Sequence, residues 1–164
     1  MKRLFPIFLS VLLVLSALPG MQASAQESIN KEMQSVIDQG IIQGHADGTY
    51  KPQGSVKRGE FATYLYRALQ LPEGNHVFTD VGRNSALAKG INAAAKAKIV
   101  VGTSATRFSP DALITREQMA VMIERALDYM RASTKTKPLT FTDKEQIKAT
   151  GAVMRMVGHD IIAG

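Results

Sequence analysis

A gapless shift that places Ile41 on Ile99 superposes two segments of this 164-residue chain. Between positions 41 and 69, many residues are identical to their shifted counterparts, among them Gly44 and Gly102, and other pairs exchange one apolar residue for another. Repeats of this kind are typical of chains whose supersecondary units bury their apolar faces against neighbouring copies. The sequence therefore predicts repeated units that pack on one another.

A third copy begins near the end of the sequence. The tripeptide Phe-Thr-Asp at 78–80 recurs at 141–143, and the tetrapeptide at 41–44 recurs in similar form at 161–164. We expect the following organisation: repeat 1 at residues 26–72, repeat 2 at 76–131, a polar linker at 132–139 and the first half of repeat 3 at 140–164.

The segment at 1–25 is typical of a signal peptide. Lys2 and Arg3 precede an apolar run at 4–18, and the small residues at 23–25 fit a signal peptidase site. As a helix, this run would rise about 22 Å, which is short of the roughly 30 Å hydrocarbon core of a bilayer. We expect cleavage after Ala25, secretion of the remaining chain, and no transmembrane segment in the mature chain.

Basic residues outnumber acidic ones by 20 to 14, which gives a formal charge of +6. Removal of Lys2 and Arg3 would lower this charge to +4, and the other basic residues form no stripe of the kind that nucleic-acid binding uses. We therefore expect no nucleic-acid partner. The chain has no cysteine, so the mature protein must be held by packing or by association with other copies.

Each copy has the pattern helix, loop, helix, which predicts an all-α fold. Residues 84–98 are rich in alanine and place apolar residues on one stripe, with Asn84 or Ser85 as the cap. The tetrapeptide at 115–118 has the form of a capping box, in which Thr115 and Gln118 exchange hydrogen bonds at the start of a second helix.

The sequence shows no motif for catalysis or metal binding. The histidines His45, His76 and His159 are not at metal-ligand spacing, cysteine is absent, and no serine lies in a Gly-x-Ser-x-Gly elbow. We expect a protein that is not an enzyme and that uses no cofactor and no metal.

Several short motifs occur in a common order. In repeat 2 the segments at 78–80, 107–110 and 114–118 are similar to the Phe-x-Asp, Gly-x-Phe-x-Pro and Ile-Thr-Arg-Ala-Glu motifs of one known family. The chain resembles the S-layer homology (SLH) family, whose modules hold exported bacterial proteins on the cell wall. The resemblance covers nearly all of residues 28–164 and implies a non-catalytic anchor at the cell surface.

The resemblance implies both a fold and a ligand. The fold is a pseudo-trimer of helix–loop–helix copies around a central helical bundle, incomplete here because repeat 3 has only its first half. The ligand is a secondary cell-wall polysaccharide, often with a pyruvate ketal on a terminal amino sugar, bound in grooves between copies. By position, the candidate binding residues are two arginines, the residues before them, two acids and two loop glycines: Arg58, Arg116, Lys57, Thr115, Asp80, Asp143, Gly44 and Gly102.

The residues themselves also favour an acidic ligand. Arg116 would lie in the first turn of a helix, where unpaired backbone N–H groups and the positive end of the dipole attract an anion, and its guanidinium matches a carboxylate. Arg58 and Arg116 could instead form structural ion pairs. Asp80 and Asp143 could cap a helix, orient an arginine, or accept hydrogen bonds from sugar hydroxyls.

An alternative function is association with a partner protein or with a second copy. The first half of repeat 3 would leave an apolar face uncovered, comprising Val153, Met154, Met156, Val157, Ile161 and Ile162. Such a face could pair with a partner's repeat and complete the bundle. The chain could also be a fragment of a longer surface protein that is anchored in the same way.

Overall fold

A computed structural model describes residues 30–163, so the expected signal peptide at 1–25 lies outside the described residues. The described part contains five α-helices: α1 (Lys31–Asp38), α2 (Arg58–Ala68), α3 (Ala88–Lys96), α4 (Arg116–Tyr129) and α5 (Thr150–Gly158). A short 3-10 helix at Lys144–Gln146 precedes α5. Over residues 30–163 there is no strand, and the nearest approach to one is an isolated antiparallel bridge between Lys57 and Leu113. The predicted all-α class is confirmed.

The backbone repeats the same helix ending three times. Gly40, Lys98 and Asp160 follow α1, α3 and α5 at equivalent positions, and all three have left-handed φ angles of 70°, 59° and 57°. A left-handed residue after a helix lets the backbone N–H groups that follow reach the last carbonyls of the helix. The first helix of each copy therefore ends in the same way, including the copy that begins near residue 140.

The start of α3 differs from the prediction. The helix begins at Ala88, whereas the alanine-rich pattern predicted a start near residue 84. The Ser85 hydroxyl accepts the Leu87 N–H at 3.2 Å, and the Ser85 N–H donates to the Gly82 carbonyl at 2.9 Å. Serine forms such local bonds readily, so this segment makes a turn and does not extend the helix.

The second helix of each repeat packs on the first helix of the next repeat. Thus α2 packs against α3, α4 packs against α5, and α2 also contacts α4. The larger core lies around α2, α3 and the loop that follows α3, and its fully buried members include Ile91, Ile99 and Phe108. A smaller core joins α4 to α5.

The expectation of an uncovered apolar face on repeat 3 was wrong for its central residues. Val153 and Met156 are 5% and 0% exposed because they pack against Ala120 and its neighbours on α4. Ile161 is the residue of this set that remains largely exposed, at 46%. The second helix of repeat 2 therefore already covers most of this face.

The linker at 132–139 lies along α5. The Lys137 N–H donates to the Met154 carbonyl at 3.1 Å, and the His159 ring nitrogen lies 3.0 Å from the Ser133 carbonyl oxygen. The buried Arg155 of α5 pairs with the Asp128 carboxylate at the end of α4. These contacts fix the direction in which the chain passes from repeat 2 to repeat 3.

The first half of repeat 1 packs less well than its counterparts. No residue from 30 to 57 is buried, whereas the equivalent stretch of repeat 2 contains several residues that are fully buried. Among residues 30–163, no helix has both the length and the apolar character needed to cross a membrane.

The contact between α2 and α3 predicts the effect of one glycine substitution. In Gly90→Ala the new Cβ would lie 2.6 Å from the Thr63 hydroxyl oxygen and 2.8 Å from the Thr63 Cα. The two helices must move apart, so we expect the free energy of unfolding to fall by about 1–3 kcal/mol, measured by urea denaturation with circular dichroism. Gly151→Ala is the matched control, because nothing lies within 4 Å of its Cβ. The free energy of unfolding of Gly151→Ala should stay constant or rise by up to about 1 kcal/mol, because alanine has the higher helix propensity. Equal losses in both variants would contradict the close contact between α2 and α3 at Gly90.

Candidate functional site

Arg58 joins the two complete repeats. It is the first residue of α2 and is only 8% exposed. Its Nε donates to the Phe108 carbonyl at 3.1 Å, and its Nη2 donates to the Val101 carbonyl at 2.8 Å. The guanidinium carbon also lies 4.8 Å from the centre of the Phe108 ring, within cation–π range. The Arg58 side chain is thus committed to the loop of repeat 2.

Backbone groups extend this contact. The Arg58 N–H donates to the Ala112 carbonyl at 2.8 Å, and the Gly59 N–H donates to the Pro110 carbonyl at 2.9 Å. These N–H groups belong to the first turn of α2, which has no acceptor for them within the helix. Burial, and secondarily the nearby Arg125 cation, lower the pKa of Arg58 from its ordinary value, although a guanidinium stays charged.

Asp80 holds the same loop from the opposite side. Its two carboxylate oxygens accept the N–H groups of Phe108 and Ser109, both at 2.8 Å, and Arg107 lies 3.8 Å away. Burial acts to raise the pKa of Asp80, but these backbone hydrogen bonds outweigh it and keep the pKa below its ordinary value. The charged carboxylate is therefore the form that the folded loop stabilises.

The two candidate glycines lie in equivalent loops, which we call loop 1 (residues 41–56) and loop 2 (residues 99–114). A Cβ on Gly102 would lie 2.2 Å from the Ser104 carbonyl oxygen and 2.9 Å from the Phe78 ring. A Cβ on Gly44 would lie 3.1 Å from the Thr49 carbonyl oxygen. Close approach of the backbone explains Gly102 most clearly, and Gly44 has the same role in a looser loop.

Lys57 also faces loop 2. Its ammonium lies 2.9 Å from the Asp111 carboxylate, and its backbone N–H donates to the Glu60 carboxylate at 2.8 Å. A lysine side chain has no hydrogen-bond acceptor, so only half of a capping box forms at α2. The exposed ion pair with Asp111 is the principal contact of the Lys57 side chain.

The capping box predicted for α4 is confirmed. Thr115 Oγ1 accepts the Gln118 N–H at 3.1 Å, and the Gln118 side chain accepts the Thr115 N–H at 3.3 Å. This cap places Arg116 at the first position of a 14-residue helix. The Arg116 side chain is exposed and forms no ion pair or hydrogen bond with any residue from 30 to 163.

A groove of about 810 Å³ opens at the start of α4. We call it the large groove; its wall is formed by Thr115, Arg116, Glu117, Thr140, Phe141, Thr142, Asp143, Ile147, Val153, Ile162 and Ala163. It lies between repeat 2 and the beginning of repeat 3, and it combines one arginine and two acids with an apolar floor. Three of the candidate residues, Thr115, Arg116 and Asp143, come together here.

A second groove of about 380 Å³, the small groove, lies beside Arg58. Arg58, Arg125 and Lys148 supply three positive charges to its wall, and Glu117 supplies one negative charge. The Glu117 carboxylate also accepts the Ala149 N–H just before α5. Lys148 was not among the candidate residues from the sequence. The equivalent positions of the other repeats hold no lysine, so the repeat pattern gave no signal for it.

The eight candidate residues therefore fall into three groups. Lys57, Arg58, Asp80 and Gly102 build or hold loop 2; Thr115, Arg116 and Asp143 line the large groove; and Gly44 lies in loop 1. Arg58 and Arg116 occupy equivalent sequence positions but have different surroundings, because loop 2 covers the first and no residue described here covers the second.

A sequence model of the S-layer homology domain matches residues 21–62 and 77–120. The chain belongs to the S-layer homology domain family. Each matched segment reaches the start of a second helix, so the family pattern spans the two loops and Arg58 and Arg116.

Three relatives illustrate the range of proteins to which this chain is similar. A surface-layer 125 kDa protein of Lysinibacillus sphaericus is 32% identical over 136 residues, which is 77% of this chain and 12% of that protein. An S-layer protein of Bacillus anthracis is 32% identical over 122 residues, covering 73% of this chain and 14% of its own length. An endoglucanase of a Bacillus species is 36% identical over 98 residues, covering 60% of this chain and 10% of the enzyme. The chain thus spans only 10–14% of the length of these relatives.

The hydrogen bonds of the Asp80 carboxylate predict that its contribution to stability depends on pH. In Asp80→Asn the amide oxygen can replace one carboxylate oxygen, but the NH2 group in place of the other cannot accept the second loop N–H, so we expect a loss of about 1–3 kcal/mol at pH 7. Because folding lowers the pKa of Asp80, its stabilisation is present above the unfolded-state pKa of about 4 and is lost as the pH falls through the folded-state pKa. The two proteins should therefore converge in stability below about pH 4, as followed by urea denaturation at several pH values.

Asp111→Asn is the matched control for this experiment. Asp111 is 81% exposed and pairs only with the Lys57 ammonium among the described residues, so its stability should change by less than about 1 kcal/mol. A loss in Asp80→Asn that stays constant as the pH falls far below the unfolded-state pKa would contradict the role of the carboxylate.

The two equivalent arginines should differ in their effect on stability. Arg58→Ala leaves the Val101 and Phe108 carbonyls without their donor, and we expect a loss of about 1–3 kcal/mol or more. Arg116→Ala removes an exposed side chain and should change the free energy of unfolding by at most about 0.5 kcal/mol. Urea denaturation of both variants under one condition makes the comparison, and equal losses would show that Arg116 has a structural partner.

Proposed function

We propose that this chain anchors to the cell surface by binding an acidic secondary cell-wall polysaccharide in the large groove. Membership of the SLH family and the similarity to S-layer proteins support the anchoring role. The observation that carries the finer proposal is Arg116, which heads α4, lines a groove, and has no partner among residues 30–163.

The large groove suits a negatively charged sugar. The Arg116 guanidinium can donate two parallel hydrogen bonds to a carboxylate, such as that of a pyruvate ketal. The first backbone N–H groups of α4 and the positive end of its dipole add to this attraction. The contact is therefore stronger for a carboxylate-bearing sugar than for a neutral one.

Other residues of the groove suit the neutral parts of a sugar. Asp143 and the Thr115 hydroxyl can accept hydrogen bonds from sugar hydroxyls, and Asp143 is exposed with no side-chain partner among the described residues. Phe141, Ile147 and Ile162 offer partly buried apolar surface to the C–H face of a ring. The groove thus provides a charged end and an apolar floor.

Arg58 acts differently in this proposal. Its guanidinium is committed to loop 2, so it positions that loop and adds positive potential to the small groove beside Arg125 and Lys148. Lys57, Asp80, Gly44 and Gly102 build the loops and make no direct contact with the carboxylate.

In this proposal the chain performs no catalysis. The similarity to an endoglucanase covers only 10% of that enzyme's length.

Co-sedimentation with cell-wall sacculi tests the proposal. The chain should pellet with sacculi that retain the secondary polysaccharide and should stay in solution after acid extraction of that polymer. In Arg116→Ala the loss of a charged hydrogen bond should weaken binding about tenfold or more. Sacculi that lack pyruvate should bind as weakly as this variant does.

Arg83→Ala is the matched control, because it removes the same charge from an exposed arginine outside both grooves. Its binding should stay within about twofold of the parent chain. Equal loss in the two variants would mean that net charge, and not the groove, drives attachment. Pelleting that is insensitive to Arg116→Ala would overturn the assignment of the groove.

A further inference from the structure

The small groove lies where all three repeats meet. Arg58 comes from repeat 1, Val101 comes from loop 2 of repeat 2, and Lys148 and Ala149 come from repeat 3. One side of α4, which includes Arg125, forms the remaining wall. With about 380 Å³, the groove is at the lower end of the range of pockets that hold small molecules, about 300–1,000 Å³.

Arg125 brings an unpaired charge to this groove. Its counterpart in repeat 1 is Arg67, which donates to the Ile41 carbonyl at 3.1 Å and to the Gln43 side chain at 2.8 Å. The position equivalent to Gln43 in repeat 2 is occupied by Val101, whose side chain has no acceptor. Arg125 is half-buried, yet it forms no ion pair or hydrogen bond with any residue from 30 to 163. Repeat 2 thus keeps the arginine without the acceptor that holds it in repeat 1.

Arg58 presents a second guanidinium to the same groove. Its Nε and Nη2 bond to loop 2, whereas its Nη1 bonds to no residue in the described part of the chain. Because Arg58 is a wall residue, Nη1 is available to a ligand in the groove. Burial, and after it the Arg125 cation, lowers the pKa of Arg58, so the two positive charges disfavour each other. An anion that contacts both guanidinium groups would relieve this repulsion.

Lys148 adds a third cation to the wall. Its ammonium pairs with no residue from 30 to 163. The Glu117 carboxylate accepts the Ala149 N–H and so holds the segment that carries Lys148 against α4. Glu117 also offsets one of the three positive charges, which leaves the wall with a net charge of +2. This charge is better matched by a dianion than by a single carboxylate.

We propose that the small groove binds a dianionic phosphate group. Such a group on a monoester carries a charge of about −1.5 to −2 at pH 7 and has three strong acceptor oxygens. The Arg125 guanidinium and Nη1 of Arg58 donate to these oxygens, and the Lys148 ammonium pairs with the same charge. The apolar side chains of Val101 and Val121 line the rest of the groove and leave room for the carbon skeleton of an ester.

This site is separate from the one proposed for the polysaccharide. Arg125 and Lys148 are not wall residues of the large groove, and Arg116 is not a wall residue of the small one. The binding of a small phosphate is measured without any cell-wall polymer. Either proposal can therefore fail while the other holds.

Isothermal titration calorimetry of the chain with inorganic phosphate and with glucose 6-phosphate tests the site. We expect one phosphate group bound per chain and no binding of glucose. Equal affinity would identify inorganic phosphate as the ligand, and tighter binding of glucose 6-phosphate would identify a sugar phosphate; both results support the proposal. Dimethyl phosphate, which carries a single charge, should bind at least about tenfold more weakly.

Charge-removing variants locate the bound phosphate. Arg125→Gln removes a charged hydrogen bond and should weaken binding about tenfold or more. Lys148 is exposed, so Lys148→Gln should weaken binding less, by about threefold or more. Arg83→Gln and Lys144→Gln are the matched controls, because both residues are exposed and lie outside the small groove. Their binding should stay within about twofold of the parent chain.

Val101→Gln alters the groove without changing its charge. It restores at position 101 the acceptor that Gln43 offers to Arg67, so the new side chain should engage Arg125 and weaken phosphate binding by about threefold or more. Val101→Leu is the matched control, because leucine offers no acceptor, and its binding should stay within about twofold. Val101 is 51% exposed, so neither substitution disturbs the core.

Three results would overturn the proposal. The first is no binding of either phosphate at millimolar concentration. The second is an equal loss in Arg125→Gln and Arg83→Gln, which would show that net charge alone attracts the anion. The third is equal binding by Val101→Gln and Val101→Leu, which would show that Arg125 does not contact the phosphate.

Discussion

The burial of one guanidinium organises this structure. Arg58 is removed from water at the start of α2, and a buried cation is tolerated only when its donors are satisfied. The acceptors are the carbonyls of Val101 and Phe108, which belong to the next repeat. Loop 2 must therefore close over Arg58, and Asp80 fixes the loop by taking its N–H groups. The core around Phe108, Ile91 and Ile99 then forms beneath a loop that polar contacts hold in place.

Local signals in the sequence predicted the helical class, the repeat and the cap of α4. Thr115 and Gln118 lie within one turn of each other, so their capping box needs no tertiary contact to be recognised. The start of α3 was missed because Ser85 forms a turn that competes with helix. The seating of α5 on α4 was missed because Val153 and Met156 are covered by residues far away in sequence.

The different surroundings of Arg58 and Arg116 could not be predicted from their local sequences. Both arginines follow a β-branched residue and one capping position, and both begin a helix. What separates them is the presence of acceptors 43 and 50 residues away from Arg58, which only the folded chain brings near. The local pattern thus identified two equivalent arginines, whereas the tertiary structure separates them into one that holds loop 2 and one whose side chain bonds to no residue from 30 to 163.

The helices that pack together belong to two consecutive repeats and not to one sequence repeat. Each interface joins the second helix of one repeat to the first helix and loop of the next, as α2 does with α3 and loop 2. Duplication of a chain segment that is one repeat long therefore adds one complete interface, wherever the segment begins. Any segment of that length contains one first helix, one loop and one second helix. An array of such repeats therefore gains one packed interface with each repeat that is added, and a repeat excised alone would lose the neighbour on which its second helix packs.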